Sequence, residues 1–315
     1  MTSKTVTLQP GNHEMPLLGF GTWKIPKDQA ASVVFKAIES GYRLIDCACD
    51  YGNEVEVGQG IKMAIEKGIV TREELFITSK LWNTYHHKEH VPMAFERTLK
   101  DLGLEYIDLY LIHFPISLKY VPFETRYPPE WGNMEQDPVP VHETWAAMEA
   151  LVATGKVRNI GVSNFSAILL MDVLSYAKVK PAVLHVEVHP YLNNSALIKF
   201  AKSQGLQITG YSNFGPASYV AFNDAAAKAT PLFEEERLSK IAAHHKKTVA
   251  QVILRWLVQD KIAVIPKSAD TTRMAQNADI FGFELSSSEM DTINSMDINF
   301  RLNDPAVYAN IPIYA

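Results

Sequence analysis

The chain predicts a (β/α)8 TIM barrel preceded by a β-hairpin, with long loops over its C-terminal face. Short apolar runs alternate with stretches of helical spacing from Gln29 to Ile265. The runs are similar in length and apolar throughout, as parallel strands covered on both faces are. No Pro- or Gly-rich linker separates them, so a single domain over residues 1–315 is expected. Repeated βα units at this length favour a closed barrel over an open doubly wound sheet.

Val6-Thr7-Leu8 and Met15-Pro16-Leu17-Leu18 flank Gly11-Asn12-His13, which reads as a hairpin around a Gly/Asn turn. Gly19-Phe20-Gly21-Thr22-Trp23 lacks the third glycine of a dinucleotide fingerprint and reads as a loop with close backbone approach. Helices are expected at Gln29–Ser40, Glu54–Lys67, Val91–Leu102, Val141–Thr154, Ala167–Ala177, Ser195–Ser203, Leu232–His245 and Val249–Gln259. Several are followed by a glycine stop, as at Gly41, Gly103 and Gly155. Strands are expected at Arg43–Asp46, Leu75–Lys80, Ile107–His113, Asn159–Val162, Val183–Glu187, Gln207–Gly210 and Ala263–Ile265. Two segments break the rhythm. Pro115 to Pro140 is long and aromatic (Tyr120, Phe123, Tyr127, Trp131), and Asp297 to Ala315 trails the last helix. Loops this long are usually functional, and on a barrel they would overhang the active face. Ala225-Ala226-Ala227 and Ser286-Ser287-Ser288 are the low-complexity tracts.

Composition narrows the function classes. Hydrophobic residues make up 47% of the chain, enough for a sizeable core. A net charge of -5, from 30 basic and 35 acidic residues, argues against a nucleic-acid partner. Only 2 cysteines, Cys47 and Cys49, suit a reducing compartment. No apolar signal region follows Met1, and no run reaches the ~18 residues of a membrane span. A cytoplasmic protein with no membrane partner is expected, either monomeric or a homodimer.

Chemistry concentrates where the strands end. Leu44-Ile45-Asp46-Cys47-Ala48-Cys49-Asp50-Tyr51 passes from a buried strand to two carboxylates and a phenol. Lys80, His113, Ser163-Asn164, Glu187-Val188-His189, Tyr211-Ser212 and Lys267-Ser268 stand at later strand ends. Singly, each has an ordinary structural explanation: a tyrosine that packs, a solvated lysine, a hydrogen-bonded core histidine. Phenol, ammonium, carboxylate and imidazole together make an acid–base set. A free phenol has a pKa of about 10, and a neighbouring ammonium is expected to lower it. Tyr51 is therefore the expected general acid, tuned by Lys80, which Asp46 holds, with His113 orienting a substrate carbonyl. The set lacks an electron source, so a bound hydride donor is implied.

No metal site is expected. His86-His87 and His244-His245 are adjacent pairs whose side chains diverge, and zinc-ligand spacings are absent. The Gly-x-Ser-x-Gly of a serine hydrolase is also missing. Pro266-Lys267-Ser268, followed by Arg273, Gln276 and Asn277 at helical spacing, would suit a phosphate and an adenine ring. An ordinary solvated helix start explains it equally well.

These residues resemble the aldo-keto reductase family, and within it the reductases of aldoses such as D-xylose. The resemblance runs from Leu18-Gly19-Phe20-Gly21-Thr22-Trp23-Lys24 to Asn303-Asp304-Pro305 and Ile311-Pro312-Ile313. It is carried by Gly41-Tyr42-Arg43-Leu44-Ile45-Asp46, Asp50-Tyr51-Gly52-Asn53-Glu54, Thr78-Ser79-Lys80-Leu81-Trp82-Asn83, Leu111-Ile112-His113-Phe114-Pro115, Gly161-Val162-Ser163-Asn164-Phe165 and Ile265-Pro266-Lys267-Ser268. It implies a barrel binding NADPH across the C-terminal face, with Asp46, Tyr51, Lys80 and His113 as the catalytic tetrad. Ser163, Asn164 and the position of His185 would hold the nicotinamide carboxamide, and Tyr211 would stack on its ring. Ser212 and Phe214 would line the pyrophosphate path. Lys267, Ser268 and Arg273 would take the 2′-phosphate, with Gln276 and Asn277 near the adenine. Trp23, Asp50, His113 and Asn303 would line the substrate pocket.

The departures are informative. The family usually has Gln at the position of His185, and sugar-reducing relatives often have His at that of Val188. Relatives that use both coenzymes carry Asn at the position of Ala269 and an acidic residue near Ala221. Losing those partners for a free ribose diol while keeping Lys267 and Arg273 leads to an expectation of NADPH over NADH, with NADH possible but weaker. The expected reaction is reduction of D-xylose to xylitol. Rival substrates are L-arabinose, a sugar phosphate or an aliphatic aldehyde. A non-catalytic coenzyme sensor and a metal-dependent barrel hydrolase are the rivals from other classes.

Overall fold

The computed structural model describes residues 4–125, 135–220 and 223–314. Strands β1 (Thr5–Leu8) and β2 (His13–Pro16) form the antiparallel hairpin, turning at Asn12, whose φ is 54°. Leu8 and Met15 are fully buried under it. Gln207 donates a hydrogen bond to the Thr7 carbonyl, so the hairpin covers the N-terminal end of the strands that follow.

Eight parallel strands come next: β3 (Gly19–Gly21), β4 (Leu44–Asp46), β5 (Phe76–Leu81), β6 (Ile107–Ile112), β7 (Val157–Ser163), β8 (Val183–Glu187), β9 (Gln207–Tyr211) and β10 (Ile262–Val264). Each pairs with its neighbour in chain order. Leu18 bridges Val264 in parallel, and the Val264 N–H donates to the Leu17 carbonyl at 2.9 Å, which draws the last strand to the first. The result is a nearly closed barrel.

Gly19-Phe20-Gly21 corrects the sequence expectation: it is the first barrel strand, not a loop. Two glycines give it little strand propensity of its own. They serve closure instead, since a Cβ on Gly21 would lie 2.8 Å from the Ile265 carbonyl oxygen. The close backbone approach was the correct part of the reading.

Helices α1 (Lys27–Glu39), α2 (Glu54–Glu66), α3 (His90–Leu102), α4 (Val141–Ala153), α5 (Ala167–Tyr176) and α6 (Ser195–Ser203) fall within a residue or two of expectation. α1 buries Ala30, Val33, Val34 and Ala37, the face that its spacing predicts. Ala225–Ala227 belong to a short helix, α7 (Asp224–Lys228), capped by the Asn223 side chain. The helix expected from Leu232 to His245 begins only at Glu236. Glu235 is extended (ψ 118°) and separates a short turn from α8 (Glu236–His245). α9 (Val249–Gln259) opens on a Thr248/Gln251 capping box. α10 (Thr271–Ala278), α11 (Ser287–Asn294) and α12 (Pro305–Tyr308) complete the chain, and Ser286 caps α11.

In the described part of the connection after β6, Tyr120 stacks on His90 of α3 at 3.7 Å, and Phe123 lies 5.3 Å from Tyr85. Tyr127, Trp131 and Ala221 lie outside the described residues. Among the described residues, no helix is long and apolar enough to cross a membrane.

α1 and α2 pack closely because Gly60 has no side chain. A Cβ there would sit 2.5 Å from the Ala31 carbonyl oxygen and 2.9 Å from Val34 Cβ. Gly60→Ala should therefore force the helices apart and cost roughly 1–3 kcal/mol. A lowered urea midpoint with an unchanged slope is the expected result, and an unchanged midpoint would show that the pair can relax.

Candidate active site

The C-terminal ends of the parallel strands surround a cavity of about 620 Å³. Its floor is ionisable. Lys80, on β5, has no exposed surface. Its ammonium donates to Asp46 Oδ2 at 2.8 Å, to the Cys47 carbonyl at 2.8 Å and to the Tyr51 hydroxyl at 3.2 Å. Strand register places it there. Asp46 pairs with Thr78, and Lys80 lies two residues further along β5, on the same inward face.

Burial pushes the Asp46 carboxyl up, but the charge of Lys80 and the polar contacts of Lys80 and His185 outweigh it and bring it to about 2. Tyr51 behaves differently from expectation. Burial, with Asp46 and Asp50 nearby, raises its phenol well above the usual range. The sequence reading had Lys80 lowering it. The phenol is thus held protonated, hydrogen-bonded to an ammonium and facing the cavity.

His113 follows the end of β6, its ring 5.9 Å from that of Tyr51 and edge-on to the buried Trp82. Its Nδ1 lies 2.9 Å from Asp50 Oδ1. Asp50 was expected to serve the substrate pocket alone. It also lines the cavity beside His113, so one carboxylate faces both the imidazole and the open space.

Ser163 and His185 are register partners on β7 and β8, with Ser163 Oγ 3.0 Å from His185 Nδ1. Asn164 has a left-handed backbone (φ 64°) and donates from Nδ2 to the His113 carbonyl and to Ser163 Oγ. Its Oδ1 accepts from Tyr211 at 2.5 Å and from Tyr314 at 3.1 Å. Tyr211, expected to stack on a coenzyme ring, stacks on His185 with centroids 5.2 Å apart. Ser212 is also left-handed (φ 55°) and shares a hydrogen bond with Tyr219 at 2.8 Å.

Trp23, Phe214, Lys267 and Asn303 line the same cavity. Ser268, Arg273, Gln276 and Asn277 do not. Ser268 and Asn277 are buried, while Arg273 and Gln276 are exposed on α10. Asp270 caps that helix by accepting from the Arg273 N–H.

Several cavity residues escaped the sequence reading. Tyr219 and Tyr308 form walls, and Lys24 stands near Lys267. Burial, then repulsion from Lys267, lowers Lys24 to about 8. The aromatic residues of the C-terminal tail were the available signal for Tyr308 and Tyr314. Glu54, at the start of α2, is buried behind the floor. Burial raises its carboxyl to about 8, while Ser79 and Thr98 donate to it.

Glu187, noted at a strand end but given no role from the sequence, docks the tail. It is fully buried and accepts from the Leu302 and Asn303 N–H groups at 2.9 Å each, and it lies 2.8 Å from His189 Nε2. Asn303 in turn donates to the Tyr211 hydroxyl and accepts from Tyr308.

Comparison with known proteins gives a consistent result. The profile described as the Aldo/keto reductase family matches residues 17–298. A protein of Aspergillus clavatus named as a probable NAD(P)H-dependent D-xylose reductase is 52% identical, covering 98% of this chain and 95% of its own length. An NAD(P)H-dependent D-xylose reductase of Candida tropicalis is 49% identical, covering 99% and 98%. Among solved structures, the aldose reductase of Schistosoma japonicum superposes with a TM-score of 0.87 at 38% identity, covering 100% of this chain and 98% of that one. An aldo-keto reductase of Bombyx mori in complex with NADP gives 0.88 at 34%, covering 100% and 99%.

Glu187→Gln should loosen the tail, because one backbone N–H loses its acceptor at a cost of ~1–3 kcal/mol. Tryptic cleavage after Arg301, followed by mass spectrometry, should accelerate roughly tenfold. A wild-type cleavage rate would mean that the tail is held elsewhere.

Proposed function

Because the chain belongs to the Aldo/keto reductase family, we propose that it reduces the carbonyl of an aldose to the alditol with a nicotinamide coenzyme. D-Xylose, giving xylitol, is the substrate that the names of its relatives support. The carrying observation is the Tyr51 phenol, hydrogen-bonded to the buried Lys80–Asp46 pair and opening onto the cavity.

The cavity's own chemistry suits the coenzyme. Ser163, Asn164 and His185 cluster polar groups at neighbouring strand ends, as a carboxamide requires. Lys24 is destabilised by Lys267, a strain that an anionic phosphate would relieve. Bound there, a reduced nicotinamide supplies the hydride. Tyr51 gives its proton to the carbonyl oxygen as negative charge develops on it. Lys80 stabilises the phenolate left behind, and Asp46 holds Lys80 in place. His113, braced by Asp50, donates a hydrogen bond that orients the carbonyl. Trp23 and Asn303 line the space left for sugar carbons and hydroxyls.

We further read NADPH as the preferred coenzyme. Lys267 and Arg273 supply positive charge where a 2′-phosphate is expected, and Ala269 offers nothing to a free ribose hydroxyl. The Asp270 carboxylate at the same helix start is a like charge, outnumbered by these two cations. The protein is read as a single barrel domain that acts in the cytoplasm, as a monomer or homodimer.

Tyr51→Phe should lower kcat on D-xylose by ~10²–10⁴-fold, while coenzyme binding, read by fluorescence quenching, stays nearly intact. A panel of aldoses and aliphatic aldehydes followed at the coenzyme absorbance places the substrate. Wild-type turnover by Tyr51→Phe would sink the assignment. For the coenzyme, kcat/KM should be higher with NADPH than with NADH, and equal values would defeat the preference.

A further inference from the structure

His185 sits at the centre of the barrel with two different neighbours. Its Nδ1 faces Ser163 Oγ at 3.0 Å. Its Nε2 lies 3.4 Å from Asp46 Oδ1, the carboxylate oxygen that Lys80 leaves free. Among the described residues, neither of those two atoms has another hydrogen-bond partner, and both are buried. Two orphaned buried atoms facing each other are a donor and an acceptor in need of pairing.

The polarity of the pair can be worked out. Asn164 Nδ2 can only donate, so Ser163 Oγ accepts from it. The Ser163 proton is then free to point at His185 Nδ1, which accepts. The imidazole therefore carries its proton on Nε2, aimed at Asp46. The same polarity extends outward: Tyr308 donates to Asn303, Asn303 to Tyr211, and Tyr211 to Asn164. At the other end Lys80 donates to Asp46 and to Tyr51.

We propose that His185 is a positioning residue for the reaction, acting as a neutral Nε2–H imidazole that fixes Asp46 on the side opposite Lys80 and links the Ser163–Asn164 cluster to the proton donor. This inference deepens the reductase reading and rests on it for its kinetic arm alone.

The groups facing the imidazole set its titration. Asp46 on β4 favours the imidazolium. Burial, Lys80 on β5 and His113 after β6 oppose it, and Ser163 and Tyr211 contribute no charge. Burial prevails, so His185 titrates below the ordinary imidazole range and is neutral at pH 7. Protonation would place a proton on Nδ1 and force the Ser163 hydroxyl to turn away, breaking the chain at that link. The working form is present above the His185 pKa and is lost as pH falls through it.

The test begins with the coenzyme-free protein. Histidine ¹⁵N correlation spectra should show His185 as the Nε2–H tautomer. Asp46→Asn removes the neighbouring charge and should lower the His185 titration by roughly one unit or more. Ser163→Ala, which spares the ion pair should Asp46→Asn fail to fold, should release the tautomer into a mixture. Kinetics then follow. His185→Ala should lose turnover. His185→Gln offers a donor and an acceptor in the same order, and it should restore most of that loss while removing the acid limb that His185 contributes to the kcat profile. An Nδ1–H tautomer, or a His185 signal unmoved by both Asp46→Asn and Ser163→Ala, overturns the inference and leaves the reductase reading intact. Failure of the wild-type protein to reduce any aldose defeats the reductase reading and leaves the spectra to decide the contact.

Discussion

Lys80 places an ammonium at the centre of the barrel with none of its surface in water. Such a group needs an acceptor for each of its three N–H bonds. It finds them in Asp46, the Cys47 carbonyl and Tyr51. All three lie on one short stretch at the end of β4, so a single electrostatic requirement fixes how β4, the turn after it and β5 meet. Breaking a buried pair of this kind costs roughly 3–5 kcal/mol, because the remaining charge is stranded. The Tyr51 hydroxyl, proposed above as the proton donor, is therefore positioned by the same interaction that makes the charge tolerable.

The walls are organised by a different carboxylate. Glu187 takes two N–H groups of the tail into the barrel, and from there Asn303 and Tyr308 reach the strand ends through Tyr211. The floor is made of strands and the walls of loops. This is the usual division between a rigid acid–base centre and the segments that shape a substrate pocket. The Tyr51–Lys80–Asp46 arrangement needs only β4, β5 and the turn between β4 and α2. The side of the cavity formed by Asn303 and Tyr308 depends on residues more than two hundred positions away in the chain.

That division also explains which parts of the protein were legible in the sequence. Asp46, Lys80, His113 and Ser163 stood out because each interrupts an apolar strand with a group that is costly to bury, and the interruption is local. Gly19–Gly21 did not read as a strand, because two glycines carry no strand signal and only pairing across the barrel makes one. Tyr219 and Tyr308 reach the cavity, and Tyr314 reaches Asn164, by the path of the folded chain, which no local pattern encodes. In the long connection after β6, Tyr120 and Phe123 find their partners in His90 and Tyr85, contacts that no local pattern encodes either.

The direction of the Tyr51 shift was the one chemical expectation that failed, and its failure sharpens the mechanism. An ammonium beside a phenol works to lower its pKa, but the net shift depends on every group that acts on it. Here burial and two nearby carboxylates act the other way. A phenol kept protonated at rest has its proton in place before the carbonyl arrives. The opposite reaction, oxidation of an alcohol, must first remove that proton against burial and the charges of Asp46 and Asp50. The influence of Lys80 then matters most when negative charge passes from the carbonyl oxygen to the phenolate, where one N–H already points at the oxygen that receives it. Such stabilisation is stronger in the transition state than in the ground state, and only a difference of that kind accelerates a chemical step. A raised pKa also makes the phenol a weaker acid, so giving its proton to a carbonyl oxygen depends on the Lys80 ammonium stabilising the phenolate as it forms.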